Sequence, residues 1–278
     1  MTGQSSLAGR TAFITGGSGG IGSACAGRLL RDGAAVLLMA RREAELEATR
    51  ATLLAAHPGA RVEICAGDAG DVHDVERALA AAHALQGRLD IIVATVGGSL
   101  GLKPLLLHDI DSFRQVIDRN LTSAFIALRY GIPLMTGGGS VICISSVCAS
   151  LPSTHLTPYC SAKSGLEALV RGAAKECARL GVRVNAIRPG MTRAAGVQSM
   201  FGARIMQERA HELIPLGRPG EPSEVAEAVR YLADAAWVTG QSFAVDGGSE
   251  LALNRAADEA DTELFGKAWP PPWSPDER

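Results

Sequence analysis

A short run of β-branched and apolar residues, Thr11 to Thr15 (TAFIT), passes without a spacer into Gly16-Gly17-Ser18-Gly19-Gly20-Ile21-Gly22 and then into the helical stretch Ser23 to Asp32. Few folds accept this succession. A strand that ends in glycines and turns at once into a helix lets the backbone come close to a ligand, and the helix start presents unpaired N–H groups and a positive dipole end. The chain therefore predicts a cradle for a pyrophosphate, with Gly16, Ser18, Gly20, Ile21 and Gly22 as its contacts. A flexible glycine linker is the other reading of such a run. The apolar elements abutting it on both sides argue against that.

The alternation continues downstream. Ala34 to Ala40 reads as a second strand, Glu43 to Ala56 as a helix and Arg61 to Ala66 as a third strand. Asp71 to Leu85 follows as an alanine-rich helix with Asp71 as its N-cap, and Asp90 to Thr95 as a fourth strand. Strands and helices alternating at this pitch predict an α/β fold, a doubly wound parallel sheet covered on both faces. With 278 residues, 47% of them hydrophobic, the chain can fill the core of one such domain. Many dinucleotide folds close the second strand with a carboxylate for the adenosine 2′-hydroxyl. Here it ends Ala40-Arg41-Arg42: no carboxylate repels a 2′-phosphate, and Arg41, with Arg42 beside it, can grip one through paired N–H donors. This favours NADP(H), with NAD(H) possible. Alternatively, both arginines only open the next helix. Asp68, with Ala69 beside it, ends the third strand where an adenine amino group would lie, and Gly97 follows the fourth.

Further along, Val141 to Ile144 is a short buried strand that delivers Ser145-Ser146 at its C-terminal end. Tyr159-Cys-Ser-Ala-Lys163 follows after a loop, and on a helix the i,i+4 spacing sets the phenol and the ammonium on one face. A free tyrosine titrates near about 10, and a nearby cation favours the phenolate, moving Tyr159 toward working pH. Tyr159 could then exchange a proton with a substrate oxygen to which Ser146 donates a hydrogen bond. Taken alone, such a Tyr/Lys pair is also what an amphipathic surface helix offers. Ile110 to about Tyr130 reads as one long amphipathic helix, with Asn120 either at its surface or holding a bend and a water through its carbonyl. Val182 to Ile187 is the next strand, turning out through Pro189-Gly190 to Thr192. The Met- and Ile-bearing stretch near 191–220 suits a substrate lid, or an ordinary helix packed on the core. A helix from Glu221-Pro-Ser to Leu232 and a last strand, Gln241 to Val245, close a domain spanning 1–248.

A net charge of −2 with acids and bases interspersed gives no electrostatic case for nucleic acid or an anionic membrane. No apolar run approaches a membrane span, and MTGQSSLAGR lacks the apolar core of a signal peptide, so the expectation is a soluble cytoplasmic protein. Six cysteines without C-x-x-C pairs read as free thiols, and six histidines without ligand spacing assign no metal. Residues 249–278 form an extension ending in a proline-rich Ala268-Trp-Pro-Pro-Pro-Trp273, either disordered or docked through its tryptophans.

These parts coincide in one pattern. TGGSGGIG at Thr15 to Gly22, Asp68, Asn120, Ser146 thirteen residues before Tyr159, YCSAK, VRVNAIRPGMT at Val182 to Thr192 and TGQSFAVDGG near the end are found together. The chain resembles a short-chain dehydrogenase/reductase over nearly all of Leu7 to Gly248. The resemblance implies a Rossmann-type sheet of about seven strands with the cofactor across their C-terminal ends. It implies Tyr159 as general acid/base, Ser146 polarising the substrate carbonyl, Lys163 on the nicotinamide ribose, and Asn120 holding a water in a relay to Lys163. Pro189, Gly190 and Thr192 would fix the nicotinamide, and a homo-oligomer, commonly a tetramer, is implied as well. Three features depart from the pattern: Ala94-Thr95-Val96-Gly97 replaces the usual N-N-A-G, Gly19 stands where NADP-preferring relatives often carry a base, and the extension after Gly248 is longer than the family usually shows. The expected activity is NADP(H)-dependent interconversion of a ketone and a secondary alcohol. The apolar loops Leu100 to Leu107 and Val147 to Leu156 point to a hydrophobic substrate. The alternatives are a 3-oxoacyl-[acyl-carrier-protein] reductase and a non-catalytic dinucleotide-binding scaffold or sensor.

Overall fold

A computed structural model describes residues 7–194 and 213–251. Seven strands, β1 (Thr11–Thr15), β2 (Ala35–Ala40), β3 (Val62–Ala66), β4 (Ile91–Ala94), β5 (Gly139–Ile144), β6 (Val182–Pro189) and β7 (Ser242–Val245), form one sheet in the order β3-β2-β1-β4-β5-β6-β7. Every pairing is parallel. The order reverses between β1 and β4, and there the C-terminal strand ends part to leave a crevice.

The two-residue period of the strands divides the core. Ala12 and Ile14 of β1, Val36 and Leu38 of β2 and Ile91 and Val93 of β4 face one layer, built from α1 (Gly20–Arg31), α2 (Glu43–Ala56) and α7 (Pro222–Asp234). Phe13, Leu37, Met39 and Ile92 face the other, built from α3 (Val72–Gln86), α5 (Ser123–Gly131) and α6 (Thr157–Cys177). Burial on both faces is why these strands read as continuous apolar runs. Caps set the helix starts: Asp71 accepts from the Asp74 amide, and Glu221 and Glu224 form a reciprocal capping box at α7.

The long helix expected over 110–130 is not continuous. α4 (Ile110–Ile117) passes into a π-turn over Asp118–Thr122 before α5 resumes. Asn120 causes the break, because its Nδ2 takes the Val116 carbonyl at 2.9 Å, the acceptor its own main-chain N–H would use in an α-turn. The side chain is completely buried, which rules out a surface Asn. α1 starts at Gly20, three residues before the expected Ser23, because the glycine turn itself supplies its first turn, and the end of β6 reaches Pro189 instead of Ile187. Leu213 and Ile214 apart, the apolar residues of the expected lid from Met200 to Met206 lie outside the described residues, as does the extension from 252 onward. Ser249 to Leu251 are still tied to the core, with Glu250 accepting from Arg188 at 2.9 Å and from Ser150 at 2.7 Å.

At the N-terminal ends of the central strands, away from the crevice, Asp90 joins three strands. Its carboxylate accepts the Thr11 amide at 2.9 Å and is paired by Arg88, while its main chain bonds Thr11 and Ser140. Asp90→Ala is expected to destabilise the protein by about 2–3 kcal/mol, because it orphans a buried strand amide and strips Arg88 of its partner. Urea unfolding checks this; a midpoint equal to wild type would show that water replaces the carboxylate at no cost.

Candidate active site

The crevice at the strand ends is a cleft of about 1240 Å³, lined from β1, β2, β3, β4, β5, β6 and the loops that follow them. At one end, Gly16 adopts φ +67° to turn the chain from β1, and Gly19 opens α1 with no side-chain cap. The first amides of α1 are thus left for a ligand. Gly22 is required here because a Cβ would run into the Gly16 carbonyl. Gly16, Ser18, Gly20, Ile21 and Gly22 all line the cleft. Thr95 takes over the tie between strands: its hydroxyl donates to the Thr15 carbonyl at 2.5 Å and its amide to the Thr15 hydroxyl at 3.3 Å.

Arg41, Arg42, Asp68 and Ala69 line the cleft beyond the glycines. Arg42 is paired with Glu45 at 2.6 Å, and Glu45 also accepts from Ser18 at 3.5 Å. Arg41 is exposed and has no ion pair among the described residues, so the local positive charge belongs to it. Asp68 stays at the cleft wall with one carboxylate oxygen held by the Gly70 amide at 2.9 Å. Uncapped amides, glycine backbone and an open guanidinium fit the phosphates of a dinucleotide.

The other end holds Ser146, Tyr159 and Lys163. β5 carries Ser146 to the crevice, where its hydroxyl accepts from the Cys148 amide at 3.2 Å. Tyr159 and Lys163 share one face of α6, with the ammonium 5.7 Å from the phenol ring centre. Lys163 is buried and donates to the Ile144 carbonyl, the last of β5, at 2.7 Å. Burial pushes the Tyr159 phenol up to about 12, with a Ser146 hydrogen bond pulling the other way. Burial likewise pulls Lys163 down to about 8. The balance therefore differs from the sequence expectation: in this arrangement desolvation outweighs the ammonium, which is turned toward Ile144.

Asn120 reaches the same place from the helix layer. Its Oδ1 accepts the Gly98 amide and its Nδ2 donates to the Gly98 carbonyl, both at 2.9 Å. A Cβ on Gly97 would stand 2.8 Å from Asn120 Oδ1 and 3.0 Å from Lys163 Nζ. Gly97 is the point at which the two converge. Pro189, Gly190 and Thr192 complete the wall; Thr192 is buried, and its hydroxyl donates to the Gly190 carbonyl at 3.0 Å. All the residues expected at the site except Asn120, which is buried behind Gly97 and Gly98, thus border one cleft.

Three participants escaped the sequence reading. Glu45 sits on the face of α2 that meets the cleft, one turn past Arg41. Glu167 continues the Tyr159/Lys163 spacing by another turn and accepts from Ser145 at 3.0 Å and Ser242 at 2.8 Å. That stripe was visible as i, i+4, i+8. His108, in a loop without periodicity, left no such trace.

A family model described as enoyl-(acyl carrier protein) reductase matches residues 16–250. A solved structure of a short-chain type dehydrogenase/reductase from Mycobacterium ulcerans superimposes with a TM-score of 0.85 at 32% identity, covering 95% of this chain and 98% of that one. The chain belongs to the short-chain dehydrogenase/reductase family. Among relatives, the A-factor type γ-butyrolactone 1′-reductase (1S-forming) of Streptomyces virginiae is 36% identical, over 88% of this chain and 97% of its own. The human dehydrogenase/reductase SDR family member 4 is 30% identical, over 91% and 92%. As a short-chain dehydrogenase/reductase the chain is an NAD(P)-dependent oxidoreductase of the alcohol/ketone type, which removes the scaffold alternative. The six cysteines are free thiols, and no described helix is long and apolar enough to cross a membrane.

Proposed function

We propose that this enzyme uses NADP(H) to interconvert an apolar ketone and its secondary alcohol. The observation that carries the cofactor choice is Arg41, open in the cleft beside a second strand that ends without a carboxylate. The bound nicotinamide supplies or accepts the hydride. Tyr159 protonates the carbonyl oxygen in reduction and takes the proton back in oxidation, and Ser146 donates a hydrogen bond to the same oxygen. Lys163 holds the ribose and passes protons to Tyr159. The π-turn and the convergence of Asn120 with Lys163 on Gly97 suit Asn120 to hold a water against Lys163. Gly16, Ser18, Gly20, Ile21 and Gly22 take the pyrophosphate, Asp68 and Ala69 the adenine, and Gly97, Pro189, Gly190 and Thr192 the nicotinamide side.

Leu100, Leu105, Leu106 and Leu151 stand exposed on the loops around the mouth, which supports an apolar substrate body. Assembly as a homotetramer belongs to the same reading. It is supported by Phe113 and Phe125 on the α4 and α5 helices and by Trp237 and Phe243 beside β7, all exposed on this chain.

Side-by-side titration with NADPH and NADH tests the cofactor. Wild type is expected to prefer NADPH, and Arg41→Ala to weaken NADPH about 10–100-fold while leaving NADH nearly unaffected, the loss of a charge-assisted pair. Tighter NADH binding in wild type, or an Arg41→Ala protein that holds NADPH as before, overturns the assignment.

A further inference from the structure

A second, smaller cavity of about 80 Å³ opens off the cleft, and Ser99, Leu156 and Tyr159 border both. A single water occupies about 10–15 Å³ of such space, so the cavity has room for a group of several heavy atoms. The polar side chains around it are Ser99, Lys103, His108, Ser112, His155 and Tyr159, and the remaining lining is apolar or glycine. None of the six is a carboxylate; the Ser99 and Ser112 hydroxyls already donate to the Gly101 and Asp109 carbonyls, both at 3.0 Å, which leaves Lys103, His108, His155 and Tyr159 as donors.

His108 is the anomaly. Both ring nitrogens are shut off from solvent and neither has a hydrogen-bond partner. An imidazole carries at least one N–H in any tautomer, and leaving it unpaired costs about 1–3 kcal/mol. Buried polar groups left so are rare enough to require a reason. The surrounding loops are tied to each other beside it. The Lys103 amide donates to the His155 carbonyl at 3.0 Å, and His155 is kept at φ +67°, the left-handed region a β-carbon disfavours. Asp109 lies outside the cavity lining: one carboxylate oxygen caps α4 through the Ser112 amide at 2.7 Å, and the other pairs with the Lys103 ammonium at 3.6 Å.

We propose that this cavity binds a carboxylate carried by the substrate, with His108 as its principal donor. The inference rests on the carbonyl–alcohol reading of the main cleft and narrows its substrate to an oxo acid with an apolar body. A carboxylate is acceptor-only and offers two oxygens, which matches the unpaired ring N–H of His108 and the donors beside it. Its charge would share the Lys103 ammonium with Asp109. A substrate reaching from Tyr159 into the cavity would place its ketone at the phenol and its acid at His108, with the connecting carbons against the apolar walls. His108 and Lys103 then set which ketones are accepted.

The test is a homologous series of oxo acids, levulinate and its longer homologues, set against their methyl esters with NADPH as reductant. In wild type one chain length is expected to stand out, with kcat/KM for the acid at least about tenfold above its ester. His108→Leu should lower that acid-to-ester ratio by about tenfold, chiefly through KM, and His108→Gln should restore part of it because the amide still donates. A wild-type ratio near one, or a ratio untouched in His108→Leu, overturns the inference. Loss of acid and ester alike in both variants does the same, since it marks a packing role. Esters reduced without acid preference sink this inference alone. Failure to reduce any ketone would bring down the carbonyl reading, and this inference with it.

Discussion

Replacing Tyr159 by Phe is expected to lower kcat for ketone reduction about 10³-fold while leaving the dissociation constant of NADPH within about twofold. The substitution removes one oxygen and keeps the ring, which is half-buried on α6 beside Ser146. The groups we propose for the dinucleotide phosphates and adenine, namely the glycine turn, Arg41 and Asp68, lie at the other end of the cleft. The loss should therefore appear in kcat and not in cofactor binding. The size follows from the chemistry, because a positioned acid contributes about 10²–10⁴-fold. The pH dependence supplies a second readout. A phenol pushed up to about 12 is protonated throughout the neutral range and is ready to donate. Reduction should then be nearly flat with pH up to neutrality, whereas alcohol oxidation, which needs the phenolate, should climb with a slope approaching about one log unit per pH unit. In Tyr159→Phe that slope should vanish. Single-turnover measurements in both directions decide it, and a variant retaining a tenth of wild-type kcat would remove Tyr159 from the role of proton donor.

What the chain disclosed in advance depended on periodicity. Strands such as Val141 to Ile144 and helices such as Glu43 to Ala56 were readable because their burial follows a repeat of two or of three to four residues. The glycine turn was readable because no other common element tolerates such a run between a strand and a helix. Tyr159 and Lys163 shared a helix face by spacing alone. The π-turn at Asn120 was not readable in that way. It arises when a side-chain amide competes for a main-chain carbonyl, and the sequence there shows only one polar residue in an amphipathic stretch. The direction of the Tyr159 shift escaped for a related reason. Spacing reveals that a cation is near, but the sign depends on how deeply both groups are buried and where the ammonium points, and here it points at Ile144. His108 lies in an aperiodic loop, where the residue type is visible but the enclosure is not.

The convergence of Asn120 and Lys163 on Gly97 leads to the second large effect. Gly97→Ala is expected to lower kcat about 10²-fold at a stability cost of only about 1–3 kcal/mol. The added methyl would stand 2.8 Å from Asn120 Oδ1 and 3.0 Å from Lys163 Nζ, so one of them must move. Asn120 cannot yield easily. Its amide is bound to Val116 and on both sides to Gly98, and shifting it would undo the π-turn. Lys163 is the softer of the two, held at its end by the single Ile144 carbonyl. The strain should therefore be relieved by displacing the ammonium that stands over the Tyr159 ring. The phosphate cradle is remote from the change, so NADPH binding should fall far less than kcat. A modest loss of stability leaves the protein folded, which separates a displaced Lys163 from unfolding. If Gly97→Ala reduces ketones at the wild-type rate, the space between Asn120 and Lys163 has no part in proton movement. If kcat falls and the pH profile for oxidation shifts with it, the displaced group is the one that titrates with Tyr159.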